Sequence, residues 1–163
     1  MRVLRILAVA GLAVAAAACT SDDHPTPSIG AADAFTAIVD WQVDRYGPPT
    51  TDEALPVVYV TSEDGKTIEA TTQAKVAGDT VDIAKVRFAD TRGDAIDTTV
   101  DGEPVRDDGV LLIVDKFDGK DTTVLIVPIT VYRDAADEQR LLVTVRSADG
   151  EVAVTSSSVR PSG

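Results

Sequence analysis

The sequence predicts an α+β domain in which one N-terminal amphipathic helix packs on a mostly antiparallel sheet that ends in a three-stranded meander. Three observations carry this expectation. Apolar side chains recur at clear helical spacing over residues 31–46. From residue 57 onward the dominant period shortens to that of strands, in β-branched runs. Residues 122–158 then hold three long strand patterns in series, separated by turn residues.

Taken in chain order, residues 31–46 place Phe35, Ile38, Val39, Gln42, Val43 and Tyr46 on one face of a helical wheel. Asp33, Thr36, Asp40 and Asp44 fall on the opposite face, and Trp41 sits at the margin of the apolar stripe. Gly47-Pro48-Pro49 stops the helix, because glycine suits the position after the last turn and proline cannot continue it. Residues 57–61 form a β-branched run closed by a Glu63-Asp64-Gly65 turn. Ile68, Thr72 and Lys75-Val76 keep helical spacing, which predicts a short second helix within 67–77. Residues 81–89 read as a strand with Ala84, Val86 and Phe88 on one face and Lys85 and Arg87 on the other. Residues 91–97 suit a single helical turn.

Residues 110–114 are continuously apolar, the mark of a strand covered on both faces or central in a sheet. The three C-terminal strands are expected at 122–132, 140–147 and 151–158, joined by 134–138 and by the turn Ala148-Asp149-Gly150. Leu141, Val143 and Val145 alternate with more polar neighbours, as do Val152 and Val154. Pro128 cannot donate to a ladder, so an edge position or a bulge is expected there. This order of elements is similar to that of cone-shaped domains of the nuclear transport factor 2-like and cystatin-like superfolds, over the whole domain but on no motif. Such superfolds host enzymes, ligand carriers and interaction modules alike.

The first thirty residues have a different character. Arg2 and Arg5 precede a thirteen-residue apolar run, 6–18, that is too short to span a bilayer and ends in Ala16-Ala17-Ala18-Cys19. This resembles the signal and processing site of bacterial lipoprotein precursors, with Ala16 where leucine is usual. The resemblance implies a signal peptide at 1–18 and acyl chains such as palmitate on Cys19, anchoring the chain on the extracytoplasmic face of the cell membrane. Ala16-Ala17-Ala18 also satisfies the rule for ordinary secretory cleavage, which would cut the same bond and leave an unmodified cysteine. Two or more acyl chains give stable anchoring where one is marginal. Residues 19–30, with Pro25, Pro27 and His24, form a polar extended linker, and 31–163 a single domain.

Composition narrows the function. Loss of Arg2 and Arg5 with the signal leaves 13 basic residues against 27 acidic ones, a formal charge of −14. Phosphate binding needs clustered lysine and arginine, so nucleic acid is not an expected partner, and neither is a polybasic grip on anionic lipid. Cys19 is the only cysteine, which rules out an internal disulfide, a zinc–thiolate site and a cysteine nucleophile in the folded domain. His24 is the only histidine and lies in the linker, so a histidine-dependent hydrolase lacks its base. No Gly-x-Ser-x-Gly, Ser-x-x-Lys or glycine-rich phosphate loop occurs.

Asp94, Asp97, Asp101, Glu103, Asp107 and Asp108 crowd one stretch, as a glycosidase pair would require, but few aromatic platforms accompany them and a solvated acidic loop is the plainer reading. Asp115, Asp118, Gly119 and Asp121 miss the spacing of a calcium loop, and Asp-Gly pairs serve hairpin turns. No metal or cofactor is therefore expected. Trp41, Tyr46, Tyr59 and Arg87 are the candidate lining of a pocket between helix and sheet, set against a reading in which Tyr46 packs in the core, Trp41 covers a sheet edge and Arg87 is solvated.

The expected function is a membrane-anchored, non-enzymatic binding or interaction module with an envelope protein partner. The alternative is a small-molecule carrier, and an enzyme relying on acids alone comes third. Oligomeric state is not legible. Replacing Cys19 with Ser is expected to move the protein out of the membrane fraction or block its processing. An unchanged membrane fraction on immunoblotting refutes the anchor.

Overall fold

The computed structural model describes residues 28–46, 55–117 and 122–160. The signal segment, most of the linker, the Gly47-Pro48-Pro49 stop and the Asp118–Asp121 part of the acidic run lie outside the described residues. The elements are α1 (Ala31–Tyr46), β1 (Val57–Ser62), α2 (Ala70–Asp79), β2 (Lys85–Phe88), α3 (Arg92–Ala95), a 3₁₀ turn (Arg106–Asp108), β3 (Val110–Val114), β4 (Val124–Asp134), β5 (Asp137–Ala148) and β6 (Glu151–Val159).

The expected stripe of α1 is the buried one. Phe35, Ile38, Val39 and Gln42 are buried while Asp40 and Asp44 face solvent. α1 lies against β5, β6 and α2, and α2 lies against β2. Val76 is the one buried residue of α2, whose other side chains are half or fully exposed.

The strands form one six-stranded sheet in the order β2-β1-β3-β4-β5-β6. It is mixed: β1 runs parallel to both β2 and β3, and the three pairings from β3–β4 onward are antiparallel. The reason lies in the connections. Parallel neighbours need a long crossover, and α2 supplies it between β1 and β2, while residues 89–109 carry the chain from β2 past β1 to β3. Beyond β3 the chain turns back on itself three times, the last two within the β4-β5-β6 meander. The last turn is a two-residue hairpin, with Asp149 (φ 53°) and Gly150 (φ 86°) both left-handed, the conformation that matches strand twist.

All five residues of β3 are buried, alternately toward two cores. On the helix face Val110, Leu112 and Val114 join Val58, Val60, Val127, Ile129, Val131, Val143 and Val145 beneath α1. On the other face Leu111 and Ile113 join Tyr59, Tyr132, Ala95, Ile96 and Val105. The last three belong to the 89–109 excursion, which folds back over the sheet through an Ile96–Val105 bridge. It is stitched to β4 by Val105 N donating to Arg133 O (2.7 Å) and by the Tyr132 hydroxyl donating to Glu103 O (2.7 Å). Gly109 permits the return into β3, since a Cβ there would stand 2.8 Å from Val57 O. The excursion covers only part of this face. Farther along, Val124 and Ile126 of β4 stay 38% and 63% exposed.

Pro128 sits in an interior strand, and neither edge strand holds it. Its place is nonetheless edge-like. The β3–β4 ladder runs from Ile129 to Tyr132, and Asp115 N donates to Pro128 O (3.0 Å) just past its end. The missing N–H therefore falls where β3 stops and interrupts no ladder.

Gln42 is 1% exposed, and among the described residues neither its amide oxygen nor its nitrogen has a hydrogen-bond partner. An unpaired buried amide costs about 1–3 kcal/mol. Replacing Gln42 with the similarly shaped Met is expected to raise stability by about 1–2 kcal/mol, measured as a higher urea midpoint with an unchanged slope. A lower midpoint would mean the amide has a partner in solution.

Candidate functional site

Tyr59 on β1 and Arg87 on β2 are register partners, so both side chains rise from the face opposite the helices. The excursion lays Asp107 over them. The Tyr59 hydroxyl donates to Asp107 Oδ2 (2.7 Å) and accepts from Arg87 Nη1 (2.8 Å), and Arg87 also bonds and pairs with Asp107 directly. The Arg87 guanidinium lies 5.6 Å from the Tyr59 ring centroid. Asp107 (φ 56°) and Asp108 (φ 50°) are left-handed, a conformation aspartate tolerates better than most side chains. Burial and the bond to Asp107 push the Tyr59 phenol above its ordinary pKa. The Tyr59 hydroxyl, and then Arg87, hold the Asp107 carboxyl below its own.

This arrangement keeps the phenol protonated and the carboxylate ionised at neutral pH, which suits a staple rather than a proton shuttle. The recess of about 600 Å³ beside it is also lined by Asp94, Asp97 and Arg106. Each already has a protein partner. Asp94 closes the capping box of α3 with Thr91, Asp97 accepts from Thr99, and Arg106 Nε donates to Ile96 O. The acids that crowd this stretch of sequence are thus used in turns, caps and the staple.

Among the described candidate pocket residues, Tyr59 and Trp41 lie on opposite faces of the sheet. Tyr59 and Arg87 meet, but Trp41 lies on the far side of the sheet, half-buried against the helix-face core with the Arg45 guanidinium 5.2 Å from its ring. Tyr46 ends α1, and its side chain is outside what the structure describes.

A different cavity lies between helices and sheet. The chain leaves β1 toward β2 on one side and leaves β3 toward β4 on the other, so the exits of these adjacent parallel strands diverge. Open α/β sheets bind ligands at such a point, in the crevice outside the carboxyl ends of the strands. Here a crevice of about 580 Å³ opens between Ser62 and Asp64 after β1, Val114 to Phe117 after β3, and the first turns of α1 and α2. Phe35 and Phe117 meet edge to face, centroids 5.8 Å apart, and Ile29, Ile68 and Val114 extend the apolar wall. At the rim Asp64 accepts from Ser62 Oγ (2.5 Å) and Lys66 N (3.1 Å), bonds that bring its pKa to about 2. The expected pocket between helix and sheet was not assigned to these residues, because the lining comes from three separated stretches, 28–35, 62–72 and 114–117. The available signal was the strand–helix–strand order of β1, α2 and β2, which implies parallel pairing.

Among the described residues, no group of three or more His, Cys, Asp or Glu side chains is placed to hold a metal ion, and no helix is long and apolar enough to cross a membrane. The chain matches no protein-family model, no curated protein and no solved structure.

The staple has a definite pH signature. A carboxyl depressed in the folded state contributes stability that is complete above its ordinary value of 3.8 and is lost as pH falls below it. Asp107→Asn is therefore expected to lower the melting temperature near neutrality and flatten its fall below 3.8. Asp64 and Asp97, also depressed, account for the slope that remains. An acid limb identical to the parent protein's would show that the staple carries no stability.

Proposed function

We propose that this chain is an extracytoplasmic binding module, anchored to the cell membrane by lipid on Cys19, and that it seats a small molecule in the crevice at the carboxyl ends of β1 and β3. The crevice carries the reading. Its volume of about 580 Å³ falls in the range of small-molecule seats, and its lining joins an aromatic wall at Phe35 and Phe117 to polar groups at Ser62, Thr67 and Thr72. The Ser62–Asp64 pair in that lining has a carboxyl held at a pKa of about 2, too weak a base to activate the hydroxyl, which favours binding over turnover. The anchoring half rests on Arg2, Arg5 and the Ala16-Ala17-Ala18-Cys19 site.

A second reading has its own observation. Val124 and Ile126 form an exposed apolar strip on the face opposite the helices, beside half-buried Pro128 and Leu142 and bordered by Arg140 and Arg146. Such a strip suits a protein partner in the envelope.

Native mass spectrometry of the full processed chain, extracted from membranes in mild detergent, separates the two. A small-molecule seat predicts a reproducible mass above that of the lipidated polypeptide. That mass should be lost in Phe117→Ala and kept in Trp41→Ala. A bare lipidated polypeptide would overturn the ligand seat. The Val124–Ile126 strip would then be the working interface, with Ile126→Lys expected to abolish co-purification of a partner.

A further inference from the structure

The crevice stands where the tether enters the fold. Ser28, Ile29 and Gly30 are part of its rim, and Ile29 is held there at 1% exposure with its N–H donating to Thr122 O (3.0 Å). Cys19 lies nine residues before Ser28. An extended chain spans at most about 3.3–3.6 Å per residue, so the rim stands within about 30 Å of the sulfur on Cys19. That is close to the thickness of a bilayer's hydrocarbon core. A lipid-anchored chain therefore keeps this opening within about 30 Å of the membrane surface.

The walls fit an apolar guest. Phe35, Phe117, Ile68, Val114 and Ile29 form a continuous apolar surface. At the rim, Lys66 and Lys116 stand among Asp64, Asp115 and Glu69, a mixed set with no excess of positive charge to select an anion.

We infer that the crevice takes one acyl chain of a diacyl lipid drawn from the membrane to which the protein is tethered. This rests on the anchored binding module proposed above and names the class of its ligand. The protein's own acyl chains are the poorer occupant, since each one withdrawn from the bilayer weakens an anchor that needs at least two.

The test uses the full processed lipoprotein on phosphatidylcholine vesicles that contain a small share of phosphatidylcholine with a photoactivatable acyl chain. Flotation is read first, then the position of the photolabel by peptide mapping. The expected result is co-flotation with label in segments 28–35, 66–72 and 114–117. Ile68→Asp should cut that label about tenfold, the effect of removing one buried apolar contact. Thr72→Trp fills the crevice from its half-exposed rim without removing core, and it should do the same should Ile68→Asp fail to fold. Co-flotation with label confined to residues before 28, or crevice label unchanged by Thr72→Trp, overturns the lipid seat and leaves the anchor standing. Failure to float, with no lipid mass on Cys19, overturns the anchor and the lipid seat with it.

Discussion

Strand β3 is the constraint on which the rest of the fold depends. Five consecutive buried residues, Val110 to Val114, cannot face water on either side of the sheet. One face is covered by the helices. The other needs cover too, and the chain meets the need with the excursion from β2 to β3. Ala95, Ile96 and Val105 supply apolar contact there, and the Tyr59–Arg87–Asp107 staple ties the end of the excursion to β1 and β2. Left-handed backbone at Glu103, Asp107 and Asp108 is where the segment bends to fit this role. Three non-glycine residues in that region each cost about 1–2 kcal/mol, which the staple and the Tyr132–Glu103 bond help to offset.

The same layering produces the crevice. Because one connection crosses the helix face and the next crosses the opposite face, strands arrive on both sides of β1 and the exits of β1 and β3 part company. The gap between them is a topological consequence and needs no special residues to open it. What the sequence adds is its chemistry: Phe35 from the first turn of α1 meets Phe117 from the end of β3, and these two come from distant parts of the chain.

Local features were legible in the sequence, and relations between distant features were not. The stripe of α1, the doubly buried 110–114 run, the alternation of Leu141, Val143 and Val145, and the Asp149-Gly150 hairpin each follow from side chains within one or two turns or pleats of each other. The single turn expected in 91–97 lies at Arg92–Ala95, where Thr91 and Asp94 close its capping box. An apolar pattern reads the same both ways, so strand direction was legible only in the strand–helix–strand order of β1, α2 and β2, and the parallel β2-β1-β3 half was missed. Of the candidate site, Tyr59 and Arg87 were grouped as pocket lining, not as bonded partners. Their third partner, Asp107, was hidden among acids of similar spacing. Trp41 was misgrouped because helical spacing gives its neighbours on α1 and says nothing of which face of the sheet α1 will cover.

The fixing of Ile29 has a mechanical side. Its buried side chain and its bond to Thr122 tie the incoming chain to the start of β4 before α1 begins. A pull on the preceding segment is therefore borne where α1 and the approach to β4 meet. The edge strands β2 and β6 hold no buried residue, and α1 lies against β6, so part of that load passes to the β6 edge. Drag on such a domain is thus taken up first by α1 and the approach to β4, ahead of the sheet's other edge at β2.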